Sequence, residues 1–304
     1  MTQGRGETWE RISLASARIP FRLKVGVVWL AIFAVLVTLF VLASFDGDWI
    51  RDEFRFVAGG LIYTIYIAVG GIVLAVALAT IGALSRVSSN PVLYGVSGFY
   101  VSFFRGTPLI VQMFLIYLAL PQVGINLQDR FPGIPQTVVD SLVLEAALAG
   151  TIALGLNYGA YMTEIFRAGI QSVAGGQGEA ADALGMTYGQ KMRKVVLPQA
   201  FRVIIPPTGN EFIAMMKDTA LVSFLGFTLA HAEVFKRATL VGKSDFKNLE
   251  ALILASGLYW GLTVVFTFFQ RKLEARVSRG YVRTPGAVRA KLDSSGSAHG
   301  GAET

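Results

Sequence analysis

The chain has 304 residues, of which 53% are hydrophobic and only 15% are charged. Soluble globular domains carry about 25% charged residues, so this composition is typical of a membrane protein. The chain contains no cysteine, which excludes disulfides and thiolate sites, and its two histidines make a histidine-based catalytic or metal site unexpected.

Six stretches are long and apolar enough to be candidate membrane helices, since a bilayer requires roughly 20 mainly apolar residues. The first is too long for a simple signal peptide and lacks a cleavage pattern, so we interpret it as an additional membrane helix or signal-anchor. The sequence therefore predicts an all-α membrane protein with about six transmembrane helices. In chain order the six candidates are 25–45, 59–85, 106–128, 146–163, 203–230 and 251–270.

Two segments between these candidates receive other interpretations. Residues 89–104 are aromatic and contain proline and glycine, and they are predicted to form a helix in the membrane interface. Thr107 is predicted to cap the next span, with Pro108 at its first helical position. Residues 121–136 hold three prolines and two glycines and are predicted to form an external loop.

Lysine and arginine concentrate on one side of the predicted spans. Of the 27 such residues, 19 fall in the two tails, the segment before the third span and the loop after the fourth span. Seven fall on the opposite side, and Lys217 lies within a span. Because cytoplasmic loops carry the excess of Lys and Arg, both termini are predicted to be cytoplasmic. The net charge of +7 is then a topology signal, and nucleic acid is not expected as a partner.

The segment 178–200, GEAADALGMTYGQKMRKVVLPQA, is polar although apolar stretches lie on both sides. Residues 179–184 predict a short helix that ends at Gly185, which takes the left-handed conformation. The sequence Thr-Tyr-Gly-Gln at 187–190 is a capping box that begins a second helix. Met192, Val195 and Val196 share one face of this helix, and Pro198 is predicted to limit its length.

This segment resembles the EAA loop of ABC-importer permease subunits. That signature is Glu-Ala-Ala, three residues, Gly, nine residues, then an aliphatic residue, any residue and Leu-Pro, and all its spacings are kept here. The segments 104–112, 161–173 and 206–226 resemble the polar amino-acid branch, of the histidine/glutamine/arginine permease type. The resemblance runs from about residue 59 to residue 273.

The resemblance implies a transport subunit without cofactor or ATPase activity of its own. Two permease subunits pair, the EAA loop docks as a coupling helix on a cytoplasmic ATP-binding subunit, and an extracytoplasmic binding protein delivers the amino acid. It also implies an N-tail at 1–24, one extra N-terminal transmembrane helix at 25–45, a five-helix permease core at 59–273 with its coupling loop at 177–198, and a C-tail at 274–304. The coupling residues implied are Glu179, Ala180, Ala181, Gly185, Met192, Val195, Leu197 and Pro198.

Three ionisable residues, Glu211, Lys217 and Asp218, lie inside the fifth span, where an unpaired charge costs several kcal/mol. Glu211 and Asp218 share a helix face and Lys217 lies at its margin. They are interpreted either as a self-satisfying cluster that fixes helix packing or as a substrate-binding cavity for a zwitterion. Two carboxylates against one amine favour a substrate with a cationic side chain.

Other charged residues receive simpler interpretations. Arg105 is predicted to be an interfacial anchor, Glu164 and Arg167 to form a surface pair, and Glu145 to reach water rather than line the cavity entrance.

Two further functional classes stay open on the residues alone. An ion-gradient-driven secondary transporter would use Glu211, Lys217 and Asp218 as a relay, but the inverted repeat typical of such proteins is missing from the sequence. An intramembrane enzyme would need a nucleophile and base or a metal constellation, and the sequence supplies neither.

Overall fold

The computed structural model describes residues 20–42, 44–173, 176–226 and 231–277. The predicted tails at 1–24 and 274–304 lie mostly outside these residues. The described chain is helical, and its helices in chain order are α1 (Phe21–Leu42), α2 (Gly47–Ala58), α3 (Leu61–Arg86), α4 (Pro91–Gly106), α5 (Leu109–Arg130), α6 (Gln136–Ser141), α7 (Ala146–Val173), α8 (Gly176–Ala183), α9, α10 (Val234–Ser244) and α11 (Asn248–Val277). Helix α9 is continuous and consists of Tyr188–Lys191, a π-helical turn at Met192–Val196, and Leu197–Asp218. A 3₁₀ helix, Thr219–Phe224, follows it.

Four of the described helices, α1, α3, α5 and α11, are long and apolar enough to cross a membrane. Helices α7 and α9 have 28 and 22 residues in their regular α-helical parts, which is also enough for a bilayer. These two contain more polar residues and lie at the centre of the bundle, where α7 packs against α3, α4 and α9. Their neighbours shield their polar groups from lipid, so they can be less apolar than the outer helices.

Helices α3 and α7 form the most extensive helix pair among the described residues. Small residues line this contact, because close approach of two helices in a membrane depends on the absence of large side chains. A Cβ atom on Gly155 would lie 2.6 Å from Leu74, and one on Gly82 would lie 2.5 Å from Thr163. The pair is therefore the rigid centre against which the other helices are placed.

A second, smaller cluster joins α2, α10 and the start of α11 through Val57, Val234 and Leu254. Polar contacts close it: Lys247 pairs with Asp46 at 3.0 Å, and the Trp49 indole donates to Asp245 at 2.8 Å. This cluster fixes the segment that follows α1. The described side chains of α1 itself are exposed along the helix.

Two predictions for the linking segments are wrong. Residues 121–136 contain the helical end of α5 and the start of α6 rather than a loop. Pro121 is tolerated because it sits in the first turn after a π-helical turn at Leu115–Ala119. Thr107 does not cap α5; it follows α4, and its hydroxyl donates to the Phe103 carbonyl at 2.9 Å.

A buried polar cluster holds the break between α4 and α5 against α7. Gln112, which is 2% exposed, donates to the carbonyls of Phe104 and Thr107. Asn157 of α7 donates to the same Phe104 carbonyl and to the Gln112 side chain at 3.1 Å. These bonds satisfy carbonyl groups at the C-terminal end of α4, which would otherwise be buried without partners.

Gln112→Leu is expected to lower stability by about 1–3 kcal/mol, because it leaves buried carbonyl and amide groups unsatisfied. The matched control is Gln128→Leu, since Gln128 makes an exposed side-chain bond to Gln136. Thermal unfolding of the purified chain in detergent measures both variants. Equal melting temperatures for the two would contradict this role of Gln112.

Candidate functional site

The predicted coupling loop, residues 177–198, forms a helix, a glycine turn and a second helix. Helix α8 ends at Ala183, and Gly185 has φ of 69°, as the sequence predicts. Thr187 accepts a hydrogen bond from the Gln190 backbone, and the Gln190 side chain accepts one from the Thr187 backbone, which confirms the capping box. Helix α8 begins three residues earlier than predicted, so Glu179 lies in its first turn.

The prediction that Pro198 limits the second helix is wrong. The π-helical turn at Met192–Val196 comes directly before the segment that contains Pro198 near its start. A proline in a regular helix removes a hydrogen bond and clashes with the carbonyl four residues earlier. The wider π turn removes this conflict at Pro198, and α9 continues from the coupling loop to Asp218 with Pro206 and Pro207 inside it. At 1.5 Å per residue, α9 is roughly 45 Å long.

The coupling loop presents a mixed polar and apolar surface to the outside. Glu179 and Ala180 are exposed, Leu184 is 77% exposed and Tyr188 is 63% exposed. Exposed apolar side chains of this size at the tip of a polar loop are typical of a protein contact. Leu184 and Tyr188 are missing from the sequence-based set, although their position beside Gly185 is a usable signal.

Other residues of the predicted set face inward. Ala181 is 3% exposed and Val196 is 1% exposed. Met192 and Leu197 pack against the larger hydrophobic core, which includes buried residues of α3 and α7. Val196, which shares a helix face with Met192 and Val195, therefore contacts the chain's own core rather than a partner. These inward residues hold the loop on the bundle, and Lys191 ties its two helices together by pairing with Asp182 at 2.8 Å.

Gly185→Val is expected to destabilise the loop by about 1–3 kcal/mol, since a β-branched residue at positive φ is strained. Among the described residues, no atom outside its chain neighbours lies within 4 Å of the position of a Cβ on Gly185, so the expected cost is backbone strain. Gly185→Asn is the control, because asparagine tolerates the left-handed region better. Limited proteolysis of the loop compares them, and equal cleavage rates would contradict the account.

At the other end of α9, Glu211 and Asp218 form an acidic cluster with Tyr158 of α7. Both carboxylates are half-buried, and the Tyr158 hydroxyl donates to Asp218 Oδ2 at 2.8 Å. Asp218 follows Glu211 by seven residues, which is almost two helical turns, so the two side chains lie within about 20° of each other around the helix. Tyr158 uses one oxygen of Asp218 and leaves the other for a ligand.

Lys217 does not join this cluster, because six residues place it about 120° away from Glu211 around the helix. It is exposed and lines a cavity of about 470 Å³ with Phe235, Tyr259 and Trp260. It forms no ion pair with any residue in the part of the chain that the structure describes. The predicted self-satisfying cluster of three charges is therefore not formed.

Arg105 and Tyr161 lie next to the acidic cluster. The Arg105 guanidinium lies over the Tyr161 ring, 5.1 Å from its centre, and Tyr161 is close enough to Tyr158 to interact with it electrostatically. Two aromatic rings, Tyr161 and Tyr158, therefore lie between this cation and Asp218.

Glu145 is exposed, as the sequence predicts, and it also has a partner. It pairs with His231 at 2.8 Å, and the two line a cavity of about 250 Å³ together with Tyr117 and Gly226.

Glu164 and Arg167 form the predicted pair at 2.6 Å, although Glu164 also lies 3.6 Å from Arg86. No group of three or more His, Asp or Glu in the described ranges could hold a metal ion.

A buried carboxylate fixes the segment that follows α9. Glu233 is fully buried, caps α10, and accepts hydrogen bonds from the Ser223 and Tyr259 hydroxyls and from two backbone amides. Burial raises the pKa of Glu233, and these hydrogen bonds counteract the effect. This contact connects the 3₁₀ helix after Asp218 to α10 and α11, so the acidic cluster has a fixed support.

The chain matches a known family over most of its length. Residues 71–279 match the family described as "Binding-protein-dependent transport system inner membrane component". The arginine transport system permease protein ArgU of Corynebacterium glutamicum is 37% identical over 263 residues, which cover 84% of this chain and 80% of that protein. The histidine/lysine/arginine/ornithine transport system permease protein HisQ of Salmonella typhimurium is 36% identical, with 74% of this chain and 94% of that protein covered.

The comparison with solved structures supports the same family. The chain is similar to a subunit in the crystal structure of an amino acid ABC transporter with histidines, with a TM-score of 0.65, 35% identity and 98% of that subunit covered. It shares its fold with a chain of the MetNI methionine ABC transporter, at a TM-score of 0.53 and 16% identity. The chain therefore belongs to the binding-protein-dependent transport system inner membrane components and is the permease subunit, without ATPase activity of its own, of an ABC importer for amino acids.

Proposed function

We propose that this permease subunit transmits ATPase movements through the coupling loop directly to the acidic cluster, which binds the substrate. The observation that carries this proposal is the continuity of α9 from Tyr188 to Asp218. A continuous helix transmits a displacement of one end to the other, whereas a loop absorbs it. Glu179, Ala180 and Gly185 are the residues that contact the ATP-binding subunit, with Leu184 and Tyr188 beside them. Ala181, Met192, Val195, Leu197 and Pro198 connect this surface to α9.

The substrate is a polar amino acid with a cationic side chain. Glu211 and Asp218 carry two negative charges in a half-buried site, where they attract ammonium or guanidinium groups more strongly than in water. The names of the relatives fit this class, since they include arginine and histidine/lysine/arginine/ornithine transport. Lys217, on the neighbouring face, contributes to the site only if a partner subunit or a movement of α9 brings it to the substrate. Cystine and glutamine permeases among the relatives are the reason for testing neutral amino acids as well.

Membership of the family implies an ATP-binding subunit and a binding protein as partners. The remaining assembly follows from the topology predicted by lysine and arginine. The coupling loop and both termini face the cytoplasm, a second permease subunit completes the pathway, and an extracytoplasmic binding protein docks on the opposite side. The extra helix α1 anchors the chain in the lipid bilayer.

Co-purification of the tagged chain from its native membrane tests the proposal. An ATP-binding subunit is expected in the eluate, and its hydrolysis is expected to rise when the binding protein and one cationic amino acid are added together. Neutral amino acids and the binding protein alone are the controls. Stimulation by a neutral amino acid, with no response to any cationic one, would contradict the substrate class.

A further inference from the structure

Two adjoining cavities form a groove between the end of α3 and the coupling loop. The first has a volume of about 560 Å³ and is lined by Ile81, Leu84 and Leu93 among others. The second has a volume of about 320 Å³ and includes Arg86 and Lys191. Val87 and Tyr188 line both cavities, so the two volumes are parts of one groove.

One end of the groove is apolar and opens toward the surrounding lipid. Ile81 and Leu84 lie in the last turns of α3, a helix apolar enough to span the membrane, and they are 65% and 42% exposed. Leu93 of α4 is 47% exposed on the other wall. A hydrocarbon chain is the natural occupant of such a wall at this depth.

The other end of the groove is cationic and offers unused hydrogen-bond donors. The Arg86 guanidinium lies over the Tyr94 ring at 4.4 Å, and its Nε faces Glu164 Oε1 at 3.6 Å, with both atoms buried and too far apart for a hydrogen bond. Among the described residues, none accepts a hydrogen bond from Arg86. Lys191, although paired with Asp182, lines the same cavity.

The carboxylates that pair with these two cations, Glu164 and Asp182, do not themselves line the cavities, and Glu164 is shared with Arg167 at 2.6 Å. The described residues that border the two cavities include arginine, lysine, glutamine, serine and tyrosine, but neither aspartate nor glutamate. The Tyr188 hydroxyl and the Ser88 and Ser89 hydroxyls add donors at the boundary between the apolar and cationic ends. A guanidinium with free N–H groups is well suited to a phosphate oxygen.

We propose that this groove binds an anionic phospholipid, with its phosphate at Arg86 and Lys191 and an acyl chain along Ile81, Leu84 and Leu93. Basic pockets between membrane helices recognise such head groups when apolar walls continue into the bilayer. The bound lipid contacts α3 on one side and Tyr188 and Lys191 of the coupling loop on the other. It would therefore hold the loop at a fixed height in the membrane. The proposal rests on the proposed function only in placing the groove in the leaflet beside the ATPase.

Photolabelling of the whole transporter tests this site. The complex purified from native membranes is reconstituted in phosphatidylcholine nanodiscs that contain phosphatidylglycerol with a diazirine on one acyl chain. Labelling is expected within residues 81–93. The Arg86→Gln/Lys191→Gln variant should lower it roughly 30-fold, on the scale expected for two cations near an anionic lipid. Lys194→Gln is the matched control, because Lys194 is exposed and lines neither cavity. If the double variant does not assemble, Lys191→Gln alone should lower labelling roughly fivefold.

Three results would overturn the proposal. Equal labelling by a phosphatidylcholine probe would show that the charge of the head group is irrelevant. Complete displacement of the label by inorganic phosphate would assign the cationic end to a soluble anion. Capture of another subunit, rather than lipid, by a photoreactive residue at Leu93 would assign the groove to a protein contact. The readout needs no transport, so a failure of the proposed coupling or substrate class leaves it interpretable.

Discussion

Glu179→Lys is expected to lower ATP-driven uptake by about two orders of magnitude, the effect of losing a charged contact at a protein interface. Glu179 is exposed in the first turn of α8, where a carboxylate also interacts favourably with the helix dipole. Reversing its charge disturbs both the helix end and any cationic partner on the ATP-binding subunit. Uptake into membrane vesicles and co-purification of the ATP-binding subunit are the two measurements, and both are expected to fall together.

Asp52→Lys is the matched control for this variant. Asp52 is exposed on α2, and its reversal should leave uptake within a factor of about two, as for an ordinary surface substitution. Normal uptake by Glu179→Lys, with the chain inserted at the usual level, would exclude Glu179 from coupling.

Asp218→Asn is expected to lower uptake of a cationic amino acid by roughly 30-fold or more, the loss that accompanies removal of one member of a buried charge pair. The substitution keeps the size of the side chain and its contact with Tyr158, so only the charge is removed. The ATP-binding subunit should still bind, because the coupling loop lies at the other end of α9. Uptake at several substrate concentrations, with co-purification as the assembly check, measures the effect.

Two further variants distinguish the contributions of Tyr158 and Lys217 from that of Asp218. Tyr158→Phe removes the hydrogen bond that orients Asp218 and is expected to have a smaller effect, of about tenfold or less, as for a hydrogen bond to a charged group. Lys217→Ala is expected to have a smaller effect than Asp218→Asn, since Lys217 faces α10 and α11. A loss of uptake with Lys217→Ala as large as with Asp218→Asn, without loss of assembly, would return Lys217 to the substrate site.

Local chemistry explains which parts of the fold are predictable from the sequence. The apolar spans, the turn at Gly185 and the capping box at Thr187 depend on neighbouring residues. The structure contains the turn, the capping box and a helix in each predicted span, although the helix in the fifth span ends at Asp218. The helices across Pro121 and Pro198 are not predictable in this way. Each proline follows a π-helical turn, and the widening of a helix turn depends on packing rather than on the residues beside the proline.

The features of the functional site also divide into those that local sequence predicts and those that depend on packing. The shared face of Glu211 and Asp218 follows from helix periodicity, and so does the separation of Lys217, once the angle of about 120° is applied. The contact of Tyr158 with Asp218 joins residues 60 positions apart and requires the packing of α7 on α9. The inward direction of Val196 likewise depends on how the coupling loop lies against the bundle.

Because the chain contains no cysteine, a single cysteine can be introduced without removing any other. The most direct test of the central claim, that the coupling loop contacts the ATP-binding subunit, is cross-linking through Leu184→Cys in native membranes. A cross-link to the ATP-binding subunit is expected, with a yield that changes when ATP is added, while Leu127→Cys near the end of α5 gives none. Absence of the cross-link at Leu184 in an assembled, active transporter, or an equal yield at Leu127, would contradict the account.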